Sequence, residues 1–167
     1  MARKVIDIHN HPNWHGHNID ALVRNMDEYG IEKTWLLGWD QPEFEYAQAC
    51  PTYYACMDPR GVAAPLDLVI QGLERHPDRF VGGWAVDPRD RFARARLQAA
   101  VNIHGIRVYG ELKVRMRFDN PDAIAMYRFC GELGLPVLFH LQCTRHSIET
   151  QAASRDTWVE WYGGDMS

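Results

Sequence analysis

Apolar residues recur along the chain in two alternating rhythms. Val5-Ile6-Asp7-Ile8-His9 is β-rich with a period of two, so Ile6 and Ile8 face one way while Asp7, His9 and His11 face the other. The apolar face is expected to pack under helices. Leu22, Val23 and Met26 then follow at helical spacing, from a cap at Asn18 or Asp20 to a stop at Gly30. Ile31 to Leu37 is a second strand. Gly38 to about Gly61 is irregular and rich in aromatics and proline, from Trp39 and Pro42 to Tyr54 and Pro59. A helix is predicted over Pro65 to His76, a strand over Phe80 to Val86, and a basic helix over Arg89 to Val101. Ile106 to Val114 is the fourth strand. Asn120-Pro121-Asp122 opens a helix that Gly134 closes. Leu135 to Leu141 is the fifth strand. The remainder is polar, then aromatic, with a last helix ending near Tyr162.

Strands alternating with helices imply βαβ units, a parallel sheet and right-handed crossovers. The strands start near residues 5, 31, 80, 106 and 135, a step of 26 to 29 residues apart from the aromatic insertion. That step is the repeat of a (β/α)8 barrel, which takes ~250 residues for eight units. The expected fold is therefore α/β, a partial TIM-type barrel of about five parallel βα units. It forms one domain over 1–167, with a lid-like insertion at 38–61.

Composition narrows the partners. The chain has 167 residues, 46% hydrophobic and 24% charged, with 18 Lys+Arg against 22 Asp+Glu and a net charge of −4. This is ordinary globular composition for one domain. The slight acidity argues against nucleic acid. There is no run of ~18 apolar residues to span a membrane, and the N-terminus lacks the apolar core of a secretory signal. Cys50, Cys56, Cys130 and Cys143 form no C-x-x-C and are expected to be reduced thiols of a cytoplasmic protein.

The candidate chemistry lies at strand ends. In Asp7-Ile8-His9-Asn10-His11, the imidazoles of His9 and His11 sit at the carboxyl end of the first strand, where parallel α/β folds bind ligands. Two His at i and i+2 can ligate one divalent ion, or form a surface turn before Pro12. His140 occupies the matching end of the fifth strand and can converge on the same rim. In the fourth strand, Arg107, Tyr109, Glu111 and Lys113 share one face, opposite Ile106, Val108 and Leu112. Glu111 and Lys113 come late, at the rim. Either could ligate a metal, bind a substrate carboxylate or move a proton; the bland alternative is an ion pair between them. Trp14, His15, His17 and Trp39 are read as pocket or lid material for a small-molecule substrate. His76, His104 and His146 have no spacing that suggests a site.

Three phrases together resemble the amidohydrolase superfamily, in its amidohydrolase-related (amidohydrolase-2) branch. They are Asp7-Ile8-His9-Asn10-His11, His76-Pro77-Asp78-Arg79-Phe80-Val81-Gly82, and Cys130-Gly131-Glu132-Leu133-Gly134-Leu135-Pro136-Val137 leading to His140. The resemblance spans Val5 to about Tyr162. It implies a (β/α)8 barrel with one divalent metal, usually zinc. His9 and His11 match the family's strand-one pair and His140 its strand-five ligand. Lys113 or Glu111 falls where the family has a strand-four polar residue. The metal would polarise a substrate oxygen and lower the pKa of a bound water to about 7.

The expected function is metal-dependent hydrolysis of C–N or C–O bonds, or nonoxidative decarboxylation. The family's strand-six histidine and strand-eight aspartate have no counterpart in these five units. The alternative is a catalytically inactive truncated relative, or a fragment, that binds metal or dimerises. Five strands leave two open edges, which suggests a homo-oligomer or a complementing chain.

Overall fold

The computed structural model of the protein describes residues 4–13, 17–40, 64–114 and 116–140. Trp14, His15, Cys50, Cys56, Cys143, most of the aromatic insertion and the expected last helix lie outside them. The elements are β1 (Val5–Asn10), α1 (Ile19–Tyr29), β2 (Ile31–Trp39), α2 (Leu66–Arg75), β3 (Phe80–Ala85), α3 (Ala93–His104), β4 (Tyr109–Leu112), α4 (Pro121–Glu132) and β5 (Val137–Phe139). β1, β2 and β3 form one parallel ladder, and β4 and β5 another. A parallel bridge between Gly83 and Val108 joins the two. There the Trp84 amide donates to the Val108 carbonyl at 3.0 Å, and the Arg107 amide to Gly82 at 2.8 Å. Spatial order thus follows chain order.

This sheet is rolled. His9, just inside the end of β1, approaches Glu111 on β4 to 3.4 Å. Three strand spacings in a flat sheet would separate them by about 14 Å. The described residues therefore form an arc of a (β/α) barrel.

The helices begin and end where local chemistry dictates. Asn18 accepts a hydrogen bond from the Ala21 amide at 2.9 Å, and Asn120 one from Asp122 at 2.8 Å. Both satisfy otherwise orphaned first-turn donors. Gly30 takes φ 67°, a left-handed conformation costly for a residue with a Cβ, and its amide returns to the end of α1. On α1, Ile19, Leu22 and Met26 are buried against Leu36 and Phe80. On α3 and α4, Leu97, Ala100, Met126 and Cys130 join Ile106 and Tyr109 in the larger core. Cys130 is a free thiol, and burial pushes its pKa up to about 12.

The structure differs from the sequence reading in several places. α3 starts at Ala93, not Arg89, because Asp87 accepts from the Arg89 amide (2.9 Å) and Asp90 from the Phe92 amide (2.8 Å). These aspartates hold a turn where helix was expected. β2 runs through Trp39, into the segment read as irregular. β4 is shorter than expected, and Arg107 is exposed rather than sharing a face with Glu111. Ile6 and Ile8 are 55% and 52% exposed, because α1 packs on β2 and no described helix covers β1.

The amino ends of the strands are tied by Arg79, from the second framework phrase. Its guanidinium donates to the Ile31 carbonyl (3.0 Å), the Glu32 carbonyl (3.2 Å) and the Asp27 carboxylate (2.6 Å). Lys4 pairs with Glu32 at 2.9 Å, and Arg75 pairs with Asp20. No helix among the described residues is long and apolar enough to cross a membrane.

Candidate metal centre

The end of β1 is shaped by its own side chains. The Asp7 carboxylate accepts from the His9 amide (3.0 Å) and from the Asn10 side-chain amide (3.2 Å). Asn10 Oδ1 in turn accepts from the His11 amide at 2.9 Å. Along this stretch the ladder slips, so that Asp7 faces Thr34 and Asn10 faces Leu36. The slip interrupts strict alternation. His11 ends up buried at 6% exposure, while the His9 side chain stays 45% exposed.

His11 is held as a neutral imidazole. Its Nδ1 lies 2.9 Å from the Leu37 carbonyl, an acceptor only, so the proton belongs on Nδ1 and Nε2 keeps its lone pair. Burial lowers the His11 pKa to about 4, against the opposing pull of Glu111.

Glu111 is fully buried. Its Oε1 faces His9 Nε2 at 3.4 Å and receives a hydrogen bond from His140 Nδ1. Its Oε2 lies 3.3 Å from His11 Nε2 and accepts no hydrogen bond. Burial alone would push this carboxyl up, but hydrogen bonds from His140 and His9, with the nearby Lys113 charge, hold it well below the usual range. The hydrogen bond to Glu111 raises the pKa of His9.

Two acceptors, His11 Nε2 and Glu111 Oε2, therefore face each other across 3.3 Å. A cation between them replaces repulsion by two attractive contacts. The ligand atoms of His9, His11 and Glu111 all lie within 4.8 Å of one another, a donor set suited to a divalent ion.

β5 supports this centre by approaching β4 closely. A Cβ on Gly110 would lie 2.6 Å from the Leu138 Cβ, so only glycine admits that approach. The His140 amide donates to the Leu112 carbonyl at 3.2 Å, which aligns its ring with Glu111. His140 thus reaches the cluster through Glu111 and is not among the three mutually close donors.

Beside the donors stand Lys113 and Trp39, only 3% and 1% exposed. The Trp39 ring meets His11 edge-on at 5.0 Å, and Lys113 Nζ lies 5.0 Å from the Trp39 ring centroid. Burial lowers the Lys113 pKa, and Glu111 partly restores it. The Trp39 indole N–H is buried without an acceptor.

The structure brings together His9, His11, Glu111, His140, Lys113 and Trp39. His17 is exposed on the approach to α1. The contributions of Asp7, Asn10 and the Leu37 carbonyl went unread in the sequence. Asp7 and Asn10 could have been noticed, since Asx side chains next to a histidine pair commonly hold the local backbone. A carbonyl leaves no mark in a sequence.

No family model matches the chain, and no curated protein matches it in sequence. Solved structures do match it in fold. A probable 2-pyrone-4,6-dicarboxylic acid hydrolase from Acinetobacter baumannii aligns with 89% of this chain and 53% of its own, at 15% identity and TM-score 0.54. A 2,6-dihydroxybenzoate decarboxylase from Rhizobium aligns with 90% of this chain and 55% of its own, at 18% identity and TM-score 0.55. A 5-carboxyvanillate decarboxylase from Sphingomonas paucimobilis aligns with 96% of this chain and 59% of its own, at 12% identity and TM-score 0.55. The chain shares the (β/α)-barrel fold of these structures. It spans just over half the length of the solved structures it matches, as a partial barrel does.

Proposed function

We propose that this amidohydrolase-like arc belongs to a metal-dependent enzyme, either a hydrolase of C–N or C–O bonds or a nonoxidative decarboxylase of a small ring-bearing acid. The observation that carries the reading is the opposed pair of acceptors, His11 Nε2 and Glu111 Oε2, 3.3 Å apart with His9 beside them. His9, His11 and Glu111 hold one divalent cation, zinc first among those that suit imidazole-rich sets. When bound, such an ion polarises a substrate oxygen and lowers the pKa of its water to about 7. His140 orients Glu111 through its Nδ1 and would be the further candidate ligand. Lys113 and Trp39 line the approach, and Trp14 and His15, three and four residues after His11 in sequence, are further pocket candidates. The hydrolase and decarboxylases sharing the fold act, by their names, on ring-bearing carboxylic acids, which supports that substrate class. A cytoplasmic setting fits the free thiol of Cys130.

The test is elemental analysis of purified protein, stripped with chelator and reloaded, followed by assay with 2,6-dihydroxybenzoate and 2-pyrone-4,6-dicarboxylate. One equivalent of cation, lost in His11→Ala, is expected. No cation in the wild type, with His9→Ala unchanged in every property, sinks the metal centre.

A second reading is favoured by the exposed Ile6 and Ile8 on β1. The arc then acts as a metal-binding or dimerising domain, with a second copy or complementing chain on its open edge. A bound cation without turnover, and a dimer by sedimentation velocity, is its expected signature.

A further inference from the structure

β1 leaves apolar surface open on the outside of the arc. Val5, Ile6 and Ile8 are 43%, 55% and 52% exposed. Single exposed apolar side chains are ordinary, but these three crowd onto one short strand. Among the described residues β1 pairs only with β2, so it is also the edge of its ladder. An apolar edge strand in water favours any segment that covers it.

The chain itself brings a cover to that edge. His140 Nδ1, just past β5, meets Glu111 Oε1. His9 Nε2, from β1, lies 3.4 Å from the same oxygen. The carboxyl ends of β1 and β5 therefore face each other across one carboxylate, and residue 141 sets out beside β1. Further along the sequence, Trp158, Trp161 and Tyr162 recur at i, i+3 and i+4, the spacing of one helix face. Asp156 and Glu160 fall on the opposite face of that pattern. Each tryptophan buries about 150–250 Å² when covered. At about 3.3 Å per extended residue, the chain between His140 and Trp158 easily spans the roughly 20 Å of a six-residue strand. The aromatic insertion is tied elsewhere. The Trp39 amide donates to the Ala64 carbonyl at 2.9 Å and the Asp40 amide to the Ala85 carbonyl at 2.7 Å, which anchors the insertion beside β2 and β3.

We propose that residues 155–162 fold back over the outer face of β1, with Trp158, Trp161 and Tyr162 covering Val5, Ile6 and Ile8 of the same chain. The inference goes beyond the metal-centre reading and does not depend on it. It assigns the open edge an intramolecular cover in place of a second copy.

Fluorine NMR of the full chain labelled with fluorotryptophan tests it, with Trp158→Phe and Trp161→Phe assigning the two resonances. Ile6→Ala is expected to shift both, at concentrations where sedimentation velocity shows a monomer. Ile103→Ala, at a 72% exposed position on α3, should leave both in place. Hydrogen exchange gives the view from β1. Replacing Trp158 and Trp161 together by Ser should speed exchange of the Val5 to His9 amides at least about tenfold. Resonances that respond to Ile6→Ala only where a dimer forms would mean that a second copy covers β1, and the proposal is overturned. It is overturned equally if Ile6→Ala shifts neither resonance, or if the double Ser variant exchanges its β1 amides like the wild type. If Ile6→Ala is unfolded by circular dichroism, Ile6→Val replaces it and is read in the same way.

Discussion

The two ends of the strands carry charge in opposite ways. At the amino end, Lys4–Glu32 and Arg75–Asp20 reach solvent, and Arg79 Nη1 meets an exposed Asp27. Such exposed pairs are screened by water and contribute little to stability. At the carboxyl end, the charged Glu111 and Lys113 are 0% and 3% exposed, beside the neutral His11 at 6%. Ionised groups removed from water are costly unless each finds a partner. The amino end therefore ties strands together, while the carboxyl end holds charges that stability alone does not require. In one molecule built from repeated βα units, that contrast marks the carboxyl end as the candidate site.

The strongest way to break the contrast is to remove the buried carboxylate. Glu111→Ala should lower cation affinity by more than the ~10–100-fold cost of an outer-shell change, measured by competition with a chelating dye. Unchanged affinity would mean that the carboxyl end is as structural as the other.

Next comes pH, in metal-free protein. His11 has a folded pKa of about 4 against 6.5 unfolded. Above 6.5 both states are neutral, and the full stability is present. As pH falls toward 4, only the unfolded chain takes up the proton, and up to about 3 kcal/mol is lost. His9 works in the opposite direction: its raised pKa contributes stability below 6.5 that disappears as pH rises. The His11 share is read as the difference between wild type and His11→Asn in urea melts at pH 7 and pH 4. A pH-independent difference would refute a buried neutral His11.

Gly110→Ala sharpens the comparison from within the site. Its Cβ would lie 2.6 Å from Leu138 Cβ, so β5 must move. A loss of about 1–3 kcal/mol is expected, with a weakened His140–Glu111 contact seen as a shifted His140 imidazole resonance. The smallest effect belongs to the amino end. Lys4→Ala should change stability by no more than about 0.5 kcal/mol, and a larger thermal shift would show that this end, too, contributes substantially to stability.

Much of this arrangement was legible in the residues. The Asn18 and Asn120 caps, the Gly30 stop and the βα order follow from chemistry within a turn or two of each residue. The His9–His11 pair and Glu111 were readable because strand ends in a parallel sheet share one rim. What was hidden depends on long-range approach. Period-two alternation put Ile6 and Ile8 under helices, yet α1 covers β2 instead. Nothing local says that His140 Nδ1 would meet Glu111. The delay of α3, by contrast, is local: Asp87 and Asp90 accept from amides two residues on, an Asx signal present in the sequence. Arg107 was placed beside Glu111 on strand periodicity, but β4 begins only at Tyr109.

The closing of β1 onto β4 also dictates an order of events. His9 and Glu111 meet at 3.4 Å although the intervening β2 and β3 must be laid down first. Closing so long a loop is entropically slow relative to forming the neighbouring βα contacts. The donor cluster therefore assembles only after the arc has docked, and a cation that prefers the cluster acts by mass action as a clasp on that last step. At a concentration 1,000-fold above its dissociation constant, that clasp adds about 4 kcal/mol to the folded state.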